Sequence, residues 1–144
     1  MIKLFLISLL FFNPAKPLWL HNLDAAKETA KKDKKLILVN FSGSDWCIPC
    51  IKMHEEIFNS DVFAAYANEN LVLVNIDFPR KKKNQLPRDE QAINDKLTEK
   101  YDPSGSFPYT LLLDSDGNKL KVWDGYYKNG ADRFVQDISQ VTIK

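Results

Sequence analysis

The spacing of apolar positions changes several times along the chain, and each change marks an element. Between Asn22 and Lys35, Leu23, Ala26 and Ala30 recur at helical spacing among Lys and Glu, which predicts an amphipathic helix capped by Asn22 or Asp24. Leu36 to Phe41 is then a short apolar run rich in branched residues, the pattern of a buried central strand. Ser42-Gly43-Ser44-Asp45 breaks it. A helical segment is expected from near Cys47 past Met53 and Ile57, and Ser60 or Asp61 can cap a continuation carrying Val62, Phe63 and Tyr66. Leu71 to Asp77 reads as a second buried strand, so strand, helix and strand imply a right-handed parallel crossover.

Phe78 to Asn84 is a polar turn, and Pro87 to Tyr101 places Ala92, Ile93, Leu97 and Tyr101 on one helical stripe. Pro103 to Pro108 is a loop. Tyr109–Leu113 and Lys119–Trp123 flank Asp114-Ser115-Asp116-Gly117-Asn118, a hairpin signal that predicts antiparallel pairing. Ala131 to Val141, with Phe134, Val135, Ile138 and Val141, closes the chain as a helix. The expectation is one α/β domain: a central mixed sheet of four to five strands with helices on both faces.

Composition narrows the function. The chain has 144 residues and a formal net charge of +1, so it carries no global field for gripping nucleic acid or an anionic membrane. Residues 1–12 put Lys3 before a run that is apolar except for Ser8, and Asn13-Pro14-Ala15 ends it. Residues 1–15 are read as a secretory signal peptide and 16–144 as the domain, because the run is well short of the ~20 apolar residues a membrane span needs. Export to the periplasm follows from that reading. The competing view keeps the apolar run on the domain as a strand or helix, in a cytoplasmic protein.

Cys47 and Cys50 are the only cysteines, so a disulfide framework beyond that local pair is impossible within the chain. Two thiols separated by two residues at the start of a helix can close a small disulfide ring. The order favours Cys47 as nucleophile, because unpaired N–H groups at the helix end stabilise its thiolate, and Cys50 as the more sheltered resolving thiol. Pro49 sits in the first turn, where its missing N–H is not needed. The same spacing also occurs as half of a zinc site, but a structural zinc site wants four ligands and there is no second cysteine pair.

Strand Leu36–Phe41, then Trp46-Cys47-Ile48-Pro49-Cys50, then Ser106-Phe107-Pro108 before a strand and hairpin, resembles the thioredoxin superfamily over residues 20–144. The stretch Phe41 to Cys50 is similar to that of exported bacterial thioredoxin-like disulfide oxidoreductases. The resemblance implies a cis-proline at Pro108 facing the cysteine pair, a Phe107 backbone that hydrogen-bonds an incoming substrate as an added strand, and later family glycines at Gly117 and Gly125. The chain also departs from the family pattern. A buried Asp and a Lys of plain thioredoxins are matched here by Asn40 and Leu73, and Asn40 cannot act as a base. Ile48 replaces a Gly, Phe107 replaces a Thr or Ile, and the connection from Asp77 to Pro108 is longer, a lid, a partner surface or a solvent-facing helix.

His54, four residues after Cys50, raises the alternative of a copper or zinc binding module using Cys47, Cys50 and His54. Asp45 is a weak candidate proton acceptor and otherwise a solvated loop acid; Arg80 to Lys83 reads as a solvated loop or a contact for an acidic partner. Trp46 is expected to cover the apolar rim around the disulfide and meet substrates, whereas Trp19, Trp123, Tyr126 and Tyr127 read as packing aromatics. The resulting expectation is a monomeric protein-disulfide reductase acting through Cys47 and Cys50 without a cofactor, with a membrane thiol carrier as electron donor.

Overall fold

The computed structural model describes residues 13–141. Residues 1–12, the apolar run of the expected signal peptide, lie outside the described residues. The elements run β1 (Trp19–Leu20), α1 (Leu23–Asp33), β2 (Leu36–Ser42), α2 (Ile48–Met53), a π-helical turn (His54–Phe58), α3 (Asp61–Asn70), β3 (Leu71–Asp77), a 3₁₀ turn (Lys82–Asn84), α4 (Arg88–Tyr101), β4 (Tyr109–Leu113), β5 (Lys119–Asp124) and α5 (Gly130–Ser139). The sheet order is β1-β3-β2-β4-β5. β1, β3 and β2 are parallel, whereas β4 pairs antiparallel with β2 and also with β5, the latter as the short hairpin loop requires.

Alternation along the strands sorts the core into two layers. Ile37, Val39, Phe41, Val72, Val74, Ile76, Leu111 and Leu113 face the side covered by Leu23, Ala26 and Ala30 of α1 and Tyr101 of α4. Leu38, Leu73 and Leu112 face the opposite side, where Met53, Ile57, Phe58, Phe63, Phe134 and Ile138 cover them. Asn40, Asn75 and Thr110 continue this second face towards α2, so the strand period of two brings buried Asn40 and Thr110 and half-buried Asn75 beneath the cysteine helix.

Two local expectations are revised. α4 does not bury Ala92 and Ile93, and Ile93 is 49% exposed. Its inward side instead carries Asn94, Leu97, Thr98 and Tyr101, because the Asn94 amide donates to the Asp77 carbonyl at 3.1 Å and turns that face to the end of β3. The helix after Cys47 is also not uniformly α: it widens into the π turn at His54 before Ser60 caps α3 by accepting from the Phe63 amide.

Candidate active site

The loop after β2 delivers the cysteines. Gly43 lets the chain pass beneath the Trp46 indole, since a Cβ at that position would overlap the ring. The Gly43 carbonyl then accepts from the Trp46 amide at 3.2 Å and the Cys47 amide at 2.9 Å, which sets up α2. Cys47 caps α2, its Sγ accepting the Cys50 amide at 3.3 Å, and the two sulfurs are bonded with a Cα–Cα distance of 5.2 Å. In this bonded pair both cysteines are 4% exposed, so exposure does not separate them, whereas Ile48 between them is 73% exposed. Their surroundings differ: Cys50, not Cys47, lines a cavity of about 320 Å³.

That cavity is walled by Asn40, Ser42, Asn75, Trp19, His21, Ile51 and His54 among others. The Asn40 amide donates to Asn75 Oδ1 at 3.3 Å, Ser42 Oγ donates to the same oxygen at 3.2 Å, and Thr110 Oγ1 donates to Asn40 Oδ1 at 3.2 Å. Buried polar groups must find partners, and this network supplies them without an ionisable member. Asn40 pairs across the parallel strands with Asn75, not with Leu73, which lies in the apolar layer. Asn75 was missed in the sequence because register, and not the motif, decides which β3 residue stands beside Asn40.

A second set of groups forms a rim beside Cys47. Trp46 meets Phe107 edge-on at 5.9 Å between centroids, Phe107 stacks on Phe78 at 5.3 Å, and the Trp46 indole N–H donates to the Phe78 carbonyl at 2.7 Å. The Arg80 guanidinium lies 3.5 Å from the Trp46 ring centroid. The Phe107–Pro108 peptide bond is cis, as the resemblance implies, and it opens β4 next to β2.

Asp45 is a half-exposed loop acid, as expected, but its carboxylate has fixed partners. Its carboxylate accepts from the Arg80 amide at 2.9 Å, the Lys81 amide at 3.0 Å and the Asn84 side-chain amide at 2.9 Å, pinning the basic turn to the cysteine loop. Those bonds, led by the one from Arg80, hold the Asp45 carboxyl below the usual carboxylate range. Asp77 serves the same loop by accepting from the Ser44 amide and hydroxyl and from the Phe78 amide. An acid two residues before the cysteines and a basic run on another loop were the available signals for this clamp.

His54 packs edge-on against Phe58 and tilted against Trp19. Burial, followed by the Lys16 charge, holds its imidazole below the ordinary histidine value. Among the described residues, with Cys47 and Cys50 bonded to each other, no group of three His, Cys, Asp or Glu side chains is arranged to hold a metal ion. Trp123 packs on Phe134 inside the second core layer, and Tyr127 contacts the same ring.

A parallel-centred sheet with an antiparallel hairpin, a disulfide at the start of the helix after β2 and a cis-proline opening β4 define a thioredoxin-type domain. The chain belongs to the thioredoxin-like domain family, whose model matches residues 23–142. Over 113 residues it is 35% identical to the disulfide bond reductase DsbH of Chlamydia pneumoniae, a match covering 78% of this chain and 66% of that protein. The chain thus spans just under two thirds of that relative's length. A solved DsbH oxidoreductase superimposes with a TM-score of 0.79 at 32% identity, over 88% of this chain and 85% of the other. The C-terminal domain of Neisseria meningitidis DsbD in its oxidised form gives a TM-score of 0.58 at 26% identity, over 87% of this chain and all of that domain.

Proposed function

We propose that the protein is a thiol-disulfide oxidoreductase that reduces disulfides of protein substrates, with Cys47 attacking and Cys50 resolving. The observation that carries this reading is the Cys47–Cys50 bond at the start of α2, with the Cys47 sulfur accepting the Cys50 amide. An N–H aimed at that sulfur favours its thiolate once the pair is reduced. Similarity to a disulfide bond reductase, and a Trp-Cys-Ile-Pro-Cys motif without a histidine inside it, favour the reducing direction.

In the reaction, the Cys47 thiolate attacks one sulfur of a substrate disulfide, forming a mixed disulfide and releasing the other substrate sulfur as a thiolate. Cys50 loses its proton and attacks the Cys47 sulfur, closing the Cys47–Cys50 bond and releasing the second substrate thiol. Two electrons pass from the protein dithiol to the substrate, and a thiol carrier returns them. The Asn40–Asn75 network offers no base, so the Cys50 proton leaves into the adjoining cavity, whose walls carry the ionisable His21, His54 and Glu55. Trp46 and Phe107 form the apolar rim that a substrate crosses, the Phe107 backbone before Pro108 receives its extended chain, and exposed Ile48 and Pro49 touch it. The domain works as an exported, periplasmic monomer, with a membrane thiol carrier as donor.

Insulin reduction by dithiothreitol tests the reading. The parent protein accelerates it, and Cys47→Ser abolishes the acceleration; an unaccelerated parent reaction refutes the proposal.

A further inference from the structure

We propose that the basic turn selects the substrate: Lys81, Lys82 and Lys83, with Arg80, draw in disulfide-bearing polypeptides whose reactive cysteine is flanked by acidic residues. This rests on the reductase reading above and adds the class of polypeptide to it.

The placement of the turn carries the inference. Asp45, two residues before Cys47, binds the amides of Arg80 and Lys81 and the side chain of Asn84, so the 3₁₀ turn Lys82–Asn84 is fixed beside the cysteine loop. Arg80 lies on Trp46, and Trp46 meets Phe107, the residue before the cis-proline. The cations are therefore continuous with the rim that a substrate must cross to reach the disulfide.

The charges are also available. All four residues are exposed, and among the described residues none forms an ion pair within 4.0 Å. Asp45 and Asp77 keep their charge while accepting from amides and from Ser44, and Asp45 faces Lys81, so the four cations of the turn still outnumber these two acids, while the nearest following acids, Asp89 and Glu90, lie in the first turn of α4. With a net charge of only +1, the molecule has no long-range field to mask or replace this local one. A loop fused to a redox rim favours a polypeptide that brings a disulfide with it over a lipid surface, which brings none.

The test uses three synthetic peptides with one identical disulfide ring and flanks of Asp and Glu, of Ser and Asn, or of Lys. Second-order rates of reduction by the pre-reduced full chain are compared at low and high salt. The acidic peptide should react about tenfold faster than the neutral one at low ionic strength and the lysine peptide more slowly, with the preference collapsing in about 0.5 M salt, where the screening length is roughly 4 to 5 Å. In the combined variant Lys81→Glu, Lys82→Glu and Lys83→Glu the acidic-to-neutral ratio should fall below about one. In the parent alone, equal rates for all three peptides at low salt overturn the proposal and leave the reductase reading standing. Failure to reduce even the neutral peptide overturns both. Binding to vesicles of anionic phospholipid without any peptide preference also overturns it and assigns the turn to a lipid surface.

Discussion

Asn40 and Asn75 place two carboxamides side by side beneath the cysteine helix, where neither can take or give a proton near neutrality. Without an acid in that network, the thiolate of Cys47 should appear as a single step against pH in the reduced protein. Asn40→Asp should add a buried acid whose pKa rises through desolvation and couples to the thiols, turning the ultraviolet thiolate curve into two shared steps; two steps in the parent would show that another group, such as His54 or Glu55 on the cavity wall, already couples to the thiols. The pair's roles give a second expectation. Cys50→Ala should accumulate mixed disulfides on non-reducing gels and Cys47→Ala almost none, and the reverse pattern would invert the assignment. The cysteines and Trp46 were legible because their types and spacing carry chemistry, and Asn40 and Pro108 through the family resemblance. Asn75 and Asp45 were not, since an amide in an apolar strand and an acid in a loop gain meaning only from the register and the backbone groups brought against them.

Among elements, the turn from Phe78 to Asn84 is attached chiefly by one carboxylate. Because its bonds lower the folded-state pKa of Asp45, the clamp contributes stability above the unfolded carboxylate value of about 3.9 and loses it as pH falls through the lower folded value. Asp45→Ala should remove that acid dependence and speed hydrogen exchange at the Arg80 and Lys81 amides about tenfold; unchanged exchange would show that the turn is held by other contacts. α5 is attached differently, through Phe134, which is fully buried against Phe58, Phe63, Trp123 and Tyr127. Phe134→Ala should cost about 3 to 5 kcal/mol in denaturant unfolding. The long elements were readable from period alone. β1 was not, because two residues carry no alternation and Trp19–Leu20 become a strand only by pairing with Leu73 and Val74. The inward face of α4 was misread because Asn94, a polar residue, earns burial through its bond to Asp77.

Across the whole molecule, the sheet brings three separate stretches of chain to one edge of the redox pair: the cysteine loop after β2, the basic turn after β3 and the cis-proline before β4. The mixed sheet follows from patterns each stretch carries by itself, a crossover and a hairpin, whereas the convergence of Asp45, Arg80 and Phe107 depends on all of them at once. Among the described residues no helix is long and apolar enough to cross a membrane, and the reductase reading draws the domain's electrons from a separate donor. The direction of that flow is the centre of the account. It is tested most directly by the reduction potential of the Cys47–Cys50 pair, measured by equilibration with thiol redox buffers and mass spectrometry of the alkylated protein. A reductase predicts a value near the thioredoxin end of the scale, about −270 mV, and a value near −120 mV, that of a strong oxidant, would contradict it.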